Sequence, residues 1–422
     1  MKIKISNIGK IKEADVTING ITVIAGENNT GKSMVGKALY AMFNSFVDVK
    51  DKVDEERIES LRRTLHDFAN EFYSWSFVKY DVKRIAIQLN KAKVELTREK
   101  LTEILSREFN YKPKNSGITQ SVFNSTIDKI MRTLEITDEY YTKKLTQKIF
   151  SEEFKQQINN TLEKETGYVQ LTIKKYVSKV YFDNDIVSKV FKSIDIFNKA
   201  IYLDDPFVLD RGPVNGVFSK VFERNAYYGH QDNLCELIYG NQEDYNLVDK
   251  IVADERLQKI MNKMQFACKG KVFFKDNREM LYQQDNVLIP FKVANLSTGL
   301  KTFAILQTLL LNGAIKDGSL IILDEPEIHL HPEWQLLFAE LIVMLQKEFN
   351  FHILLNTHSP YFLQAIEVFA EKYGIDDKCE YYLSYNEHEE SFVKRVTGNL
   401  EEIYAKLAKP LQVLENLRYA DE

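Results

Sequence analysis

Cysteine is scarce: Cys235, Cys268 and Cys379 are the only three in 422 residues, and no C-x-x-C pair occurs. Neither a disulfide framework nor a zinc ribbon is indicated, and a reducing cytosol is the expected location. Long apolar runs are missing too. No stretch of 18 uninterrupted apolar residues exists, and TFAILQTLLLNGAI is short and broken, so no membrane span is expected. The N-terminal MKIKISNIGKIKEADVTI alternates apolar and polar residues without an apolar core, which predicts strands and not a secretory signal. A charge excess of one sign is also absent, because 56 Lys+Arg against 61 Asp+Glu leaves −5 with 44% hydrophobic residues. That balance argues against an acidic disordered chain and against a polycation built for nucleic acid. No internal repeat or low-complexity tract is found.

The length allows two or three domains. Turns are expected at Asn7-Ile8-Gly9 and at Asn19-Gly20, the second as a hairpin. A helix follows, with Val35, Ala38, Leu39, Met42 and Phe43 on one face. Residues 44–198 contain only Gly117, Gly167 and Pro113 as breakers, which predicts a mostly helical insertion between an N-terminal lobe at 1–43 and the remainder at 199–422. The insertion holds 27 basic and 24 acidic residues, net +3 against −8 elsewhere, and reads as a solvated helical surface. It lacks a sustained heptad, so no long coiled coil is expected. Beyond it, Ala200–Leu203 predicts a strand and 210–270 more helix. Short strands are expected at Lys271–Phe274, Glu279–Tyr282 and Asn286–Ile289. The buried runs Leu320–Leu323 and Phe351–Leu355 predict parallel strands flanking a helix from about Glu333 to Lys347. Strands near Glu380–Ser384 and Ser391–Val396 and a helix from about Leu400 complete an α/β chain with a mixed or parallel sheet.

The chemistry concentrates in a few segments. Gly26-Glu27-Asn28-Asn29-Thr30-Gly31-Lys32-Ser33 is G-x-x-x-x-G-K-S, set between the apolar run Ile21–Ala25 and the helix just described. Its glycines let backbone N–H groups and a helix N-terminus surround phosphate; Lys32 is placed to reach β/γ-phosphates and Ser33 to hold Mg²⁺. Leu320–Leu323 ends abruptly in Asp324-Glu325-Pro326. Carboxylates at the solvent end of a buried strand suit a cation, for Asp324, and a base that orients and deprotonates water, for Glu325. In Asn295-Leu296-Ser297-Thr298-Gly299-Leu300-Lys301, Ser297 is expected to cap a helix and Gly299 to permit close approach, a second anion-binding helix start. Asn356-Thr357-His358-Ser359-Pro360 follows one strand later.

Taken in this order, the motifs resemble the ABC-type P-loop ATPases, and within them the SMC-like and OLD-like branch. LSTGL is similar to the signature LSGGQ, with Thr298 for glycine and Leu300 for glutamine. ILDEPEIHLHPEWQ resembles the extended Walker B of OLD-like and RecF-like members, and THSP resembles their switch-histidine segment. The resemblance implies an ATP- and Mg²⁺-using ATPase head in which two chains sandwich ATP. Lys32, Ser33, Asp324, Glu325 and His358 would come from one subunit, and Ser297 with Gly299 from the other. His358 would contact the γ-phosphate. Where the family ends a strand in glutamine, this chain offers Asp204, a candidate for the Mg²⁺/water contact. His329 and His331 lack a third ligand, so their expected role is loop structure beside the dimer interface.

Related proteins include OLD nucleases, ATPase subunits of Septu- and PARIS-type anti-phage systems, and DNA-repair ATPases. The nucleases append a Toprim domain after the switch histidine. The 64 residues after His358 show no strand ending in Glu followed by a D-x-D pair, and Asp376-Asp377 does not fit. The expectation is therefore a sensor or scaffold subunit in a homodimer or higher homo-oligomer, with a separate nuclease-like effector and no membrane partner. A DNA-clamping repair ATPase is the first alternative and keeps DNA a candidate partner. A transporter nucleotide-binding subunit is disfavoured by the H-L-H-P segment, the altered signature and the insertion. An assembly scaffold that holds ATP without turning it over is also open.

Overall fold

A computed structural model of the chain describes residues 1–72, 81–111, 119–162, 165–196, 198–211, 229–239, 247–275 and 279–418. Pro113 and Gly117, and parts of the helical reading of 210–270 (212–228 and 240–246), lie outside the described residues. Lys2–Ile8 (β1) and Ile11–Thr17 (β2) alternate, burying Ile3, Ile5, Ala14 and Val16 on one face. They pair antiparallel with Ile8 opposite Ile11, around Gly9 at φ +56°. Ile21–Gly26 (β3) is buried at every residue, as a strand covered on both faces must be. The loop after it leads into α1, Lys32–Phe46.

Residues 48–145 form a compact unit of their own. Its helices Val49–Phe72, Val82–Lys91, Arg98–Glu108 and Gln120–Glu135 enclose Leu65, Phe68, Ile85, Leu89, Leu105, Phe109, Phe123 and Ile127. Asp81, Thr97 and Thr119 each accept a backbone N–H at a helix start. Arg57 is buried with its charge met by Asp54 at 3.2 Å and Asp138 at 2.5 Å. A buried guanidinium is tolerated only when so paired.

The other unit, 1–47 with 146–422, is built on an eleven-stranded mixed sheet. Further strands are β4 (Gly167–Ile173), β5 (Tyr176–Asp183), β6 (Ile186–Phe191), β7 (Ile201–Leu203), β8 (Gly270–Lys275), β9 (Glu279–Gln284), β10 (Phe291–Lys292), β11 (Leu320–Asp324), β12 (His352–Thr357), β13 (Cys379–Glu387) and β14 (Glu390–Arg395). The order is β6-β5-β4-β1-β2-β14-β13-β3-β12-β11-β7, with β8, β9 and β10 in a small separate sheet. β13, β3, β12, β11 and β7 run parallel, and β1, β2, β4, β5 and β6 pair antiparallel. Helices Thr298–Leu311, Pro332–Phe349 and Pro360–Tyr373 contribute Phe303, Phe338, Leu341, Phe362 and Ile366 to the core against the parallel half. Among the described residues, no helix is long and apolar enough to cross a membrane.

Three expectations need correction. The independent helical unit is shorter than 44–198, because 167–191 are three strands of the main sheet. Val169, Leu171, Val180 and Phe182 alternate inward, and Asn184 and Asp185 both take positive φ in the tight β5–β6 turn. Asn19-Gly20 is a turn but not a hairpin, since β14 and β13 lie between β2 and β3. Asn286–Ile289 is not a strand: Asn286 turns the chain at φ +63°, and the exposed Leu288 and Ile289 precede β10.

Gly20 explains why the chain can enter the sheet centre there. It sits at φ +58°, and a Cβ on it would lie 2.5 Å from the Lys378 carbonyl oxygen at the start of β13. Gly20→Ala is expected to lower stability by about 2 kcal/mol, from left-handed strain plus backbone displacement. A denaturant midpoint equal to that of the wild type would contradict this packing.

Candidate functional site

Parallel pairing places the site. β12 lies between β3 and β11 with Asn356 opposite both Ile24 and Asp324, so all three strands end together. Ligands of parallel sheets bind beyond such carboxyl ends. Gly26 closes β3 where a side chain cannot fit, since a Cβ would lie 2.3 Å from the Ser384 carbonyl oxygen. The loop then turns through Asn29 at φ +62° and Gly31 at φ +85°, and α1 begins at Lys32. On its outer side, the Asn29 carbonyl accepts from Lys10 at 3.3 Å and Asn386 at 3.2 Å, and the Thr30 carbonyl accepts from the Ser384 hydroxyl at 2.5 Å. In a trans peptide the following N–H points the opposite way, so the Thr30 and Gly31 amides are turned away from those donors.

The Lys32 ammonium is buried and folds back on its own loop. It donates to the Gly26 carbonyl at 3.0 Å and the Glu27 carbonyl at 2.8 Å, and lies 3.5 Å from Glu325 Oε1. Glu325 has φ +50°, a conformation costly for a residue with a side chain. Its N–H donates to the Asn356 carbonyl at 2.9 Å, which pins that backbone. His358 Nδ1 lies 3.3 Å from Glu325 Oε1, on a half-exposed ring at the end of β12. Asp324 accepts from the Asn356 side chain at 2.9 Å on Oδ1 and from the Tyr202 hydroxyl at 3.0 Å on Oδ2. The same Asn356 amide donates to the Lys32 carbonyl at 3.2 Å, joining the strand end to the start of α1. Lys32, Asp324, Glu325 and His358 are thus brought together, and Ser33 follows Lys32 on the first turn of α1.

Two sets of expected residues lie elsewhere. Ser297 occupies the N-cap position of helix Thr298–Leu311, but its side chain makes no capping hydrogen bond. Instead it is exposed at an open cleft of about 370 Å³ lined by Ser297, Thr298, Gly299, His329, His331 and Trp334. Gly299 is required for that packing, since a Cβ would meet the His329 carbonyl oxygen at 2.9 Å. Among the described residues, no hydrogen bond or ion pair joins this cleft to the 26–33 loop. Asp204, expected at the cation, is taken up otherwise. Its carboxylate faces His230 Nε2 at 2.9 Å and Gln231 Nε2 at 3.3 Å. His329 and His331 belong to no cluster of three metal-ligating side chains among the described residues.

Four participants escaped sequence reading. Asn356 stood beside His358 in N-T-H-S-P, and Glu327 is the third carboxylate of D-E-P-E. Glu327 is buried, contacts the Thr357 hydroxyl, and burial raises its carboxyl above the ordinary range. Tyr202 was visible only as an apolar strand residue. His230 had no local signal at all, because its partners Glu153 and Asp204 lie 77 and 26 residues away.

His230 sits between two carboxylates, with Nδ1 2.7 Å from Glu153 and Nε2 2.9 Å from Asp204. Burial alone would favour the neutral ring, but hydrogen bonds and charge from Asp204 and Glu153 outweigh it and push the group up to about 9.

The family model described as AAA ATPase domain matches residues 1–363. The chain belongs to this family. The AAA ATPase domain match spans the loop 26–33, the cleft at Ser297, the Asp324–Glu325 strand end and His358. Among solved structures, the chain is similar to the SMC head domain from Thermotoga maritima, at 10% identity over 94% of this chain and 98% of that one, with a TM-score of 0.38. It is also similar to an SmcHead bound to the C-winged helix domain of ScpA, at 11% identity over 95% and 98%, TM-score 0.44. A third is an Smc head with an extended coiled coil bound to the C-terminal domain of ScpA, from Pyrococcus furiosus, at 10% identity over 99% and 98%, TM-score 0.40. No curated protein matches the chain in sequence.

Because His230 is protonated more readily folded than unfolded, its stabilisation is fully present below about pH 6.5 and is lost as pH rises through about 9. Thermal stability of the wild type should fall over that window by on the order of 3 kcal/mol. His230→Gln should flatten this alkaline limb, and equal slopes in the two proteins would refute the assignment.

Proposed function

We propose that this AAA ATPase family member binds and hydrolyses ATP with Mg²⁺, and that nucleotide joins two copies of the chain. The observation that carries the reading is the Lys32 ammonium, buried 3.5 Å from Glu325 and hydrogen-bonded to two carbonyls of its own loop. A triphosphate would replace those carbonyls with charged oxygens, a stronger set of acceptors for the same donors. Amides turned away from the outer face of the loop and the N-terminus of α1 would add to the cradle.

The residues present also fit a divalent cation. Asp324 is ionisable, oriented on both oxygens by neutral donors, and close to Ser33 through the Tyr202 hydroxyl, which lies 3.4 Å from the Ser33 carbonyl. Beside it, fully buried Asn356 keeps an Oδ1 that has no hydrogen-bond partner among the described residues. Ser33 and Asp324 would hold Mg²⁺, which supplies charge neutralisation at the β/γ-phosphates. Glu325 would orient a water and accept its proton, its backbone strain fixing the carboxylate toward Lys32 and His358. His358 would steady the γ-phosphate. Asp204 serves better as a partner of His230 than as a cation ligand, given its hydrogen bonds.

One copy is incomplete by this reading. Ser297 and Gly299 open onto their own cleft, so a second chain would present them in trans to close the phosphate cage. Nucleotide would then act as a switch on pairing and hydrolysis as its reset. The role extends to a sensor or scaffold subunit of a bacterial anti-phage system, with effector chemistry from a separate nuclease-like protein.

Lys32→Ala should weaken ATP binding by about a hundredfold, through loss of charge-assisted bonds to phosphate; unchanged affinity by titration calorimetry would overturn the role. Glu325→Gln should keep binding, lower turnover by about a hundredfold or more, and accumulate a dimer or larger assembly with ATP in light scattering. Normal hydrolysis by that variant would remove Glu325 as base.

A further inference from the structure

Tyr202 is the middle residue of the short edge strand β7, opposite Ile322 of β11 and fully buried. Its hydroxyl proton has two acceptors within reach, the Asp324 carboxylate at 3.0 Å and the Ser33 carbonyl at 3.4 Å. The shorter bond to the charged acceptor takes it. Room for that hydroxyl comes from Gly36 in the interior of α1, where a Cβ would lie 3.1 Å from the oxygen. Glycine there costs helix stability, so its presence marks a close approach that the ring needs.

The ring is also held from behind. Tyr202 stacks on His230 with centroids 4.4 Å apart and planes at 28°, and Tyr40 meets the edge of His230 at 5.9 Å. His230 is fixed at both nitrogens by Glu153 and Asp204, and Glu153 also accepts its backbone N–H at 2.8 Å. We infer that Tyr202 is a positioning residue for the Asp324 carboxylate and that the Glu153–His230–Asp204 clamp fixes the Tyr202 ring for that purpose. The inference rests on reading Asp324 as a Mg²⁺ ligand. Its physical content is that a carboxylate tied on each oxygen by one neutral donor keeps one orientation and retains lone pairs for a cation. Partners of metal ligands commonly change metal affinity by about ten- to a hundredfold when removed.

Tyr202→Phe keeps the ring and the stack and deletes only the donor. Binding of a fluorescent ATP analogue to the full chain would be measured in EDTA and then across a Mg²⁺ titration, with melting followed in parallel. The expected result is EDTA affinity within about twofold of wild type and a Mg²⁺ half-point raised about tenfold. A half-point within about twofold of wild type, whatever the melting temperature, overturns the positioning role. His230→Gln leaves the hydroxyl in place and loosens the ring; it should raise the Mg²⁺ half-point about threefold, and an unchanged half-point would dismiss the clamp. Wild-type binding indifferent to Mg²⁺ would instead defeat the reading of Asp324, and this inference with it.

Discussion

The site depends on one constraint: the Lys32 ammonium is buried at the carboxyl ends of β3, β12 and β11 and must have acceptors there. Burial of an unmatched charge is among the costliest things a fold can contain. The Gly26 and Glu27 carbonyls and the Glu325 carboxylate meet that need within the chain. Those contacts tie the loop to the Asp324–Glu325 end of β11, and Asn356 ties both to α1 through Asp324 and the Lys32 carbonyl. An anion entering the loop would compete with these three acceptors for the Lys32 ammonium, one of them being the Glu325 carboxylate.

Around this centre the chain separates tasks by element. Parallel strands set register, and the antiparallel β1–β2 and β4–β6 extend the sheet away from the loop. Loops at strand ends hold the polar groups. Glu325 in the left-handed region and Glu327 buried against Thr357 are both unfavourable locally and are maintained by β11 and β12. Strain of this kind clusters where geometry has to be over-determined. The cleft at Ser297 and Gly299 carries two exposed histidines and a helix start without a side-chain cap.

How much of this was legible in the sequence varied with the range of the interaction. The loop 26–33 was readable because tight turns restrict residue type locally, and β11 and β12 because continuous apolar runs ending in charge have few other uses. The alternation in Tyr168–Ile173 is equally local, but it is embedded in a long stretch of charged, helix-like composition that masks the strands at 167–191. Asn19-Gly20 carried the right turn chemistry for the wrong topology, because the neighbour of β3 is supplied by residues 379–387. Asp204 was identified as a polar strand end, but its partner His230 comes from a distant helix, so its engagement could not be read. Tyr202 looked apolar because its use is a hydroxyl threaded beneath Gly36, a three-dimensional fit with no pattern along the chain.

The most direct measurement is a structure of the Glu325→Gln protein with ATP and Mg²⁺. The account predicts two chains facing each other, with Lys32 Nζ moved from the Gly26 and Glu27 carbonyls onto β/γ-phosphate oxygens. Ser297 of one copy should meet the nucleotide of the other. An empty 26–33 loop, or nucleotide bound while Lys32 stays on its own carbonyls and Ser297 faces solvent, would contradict it.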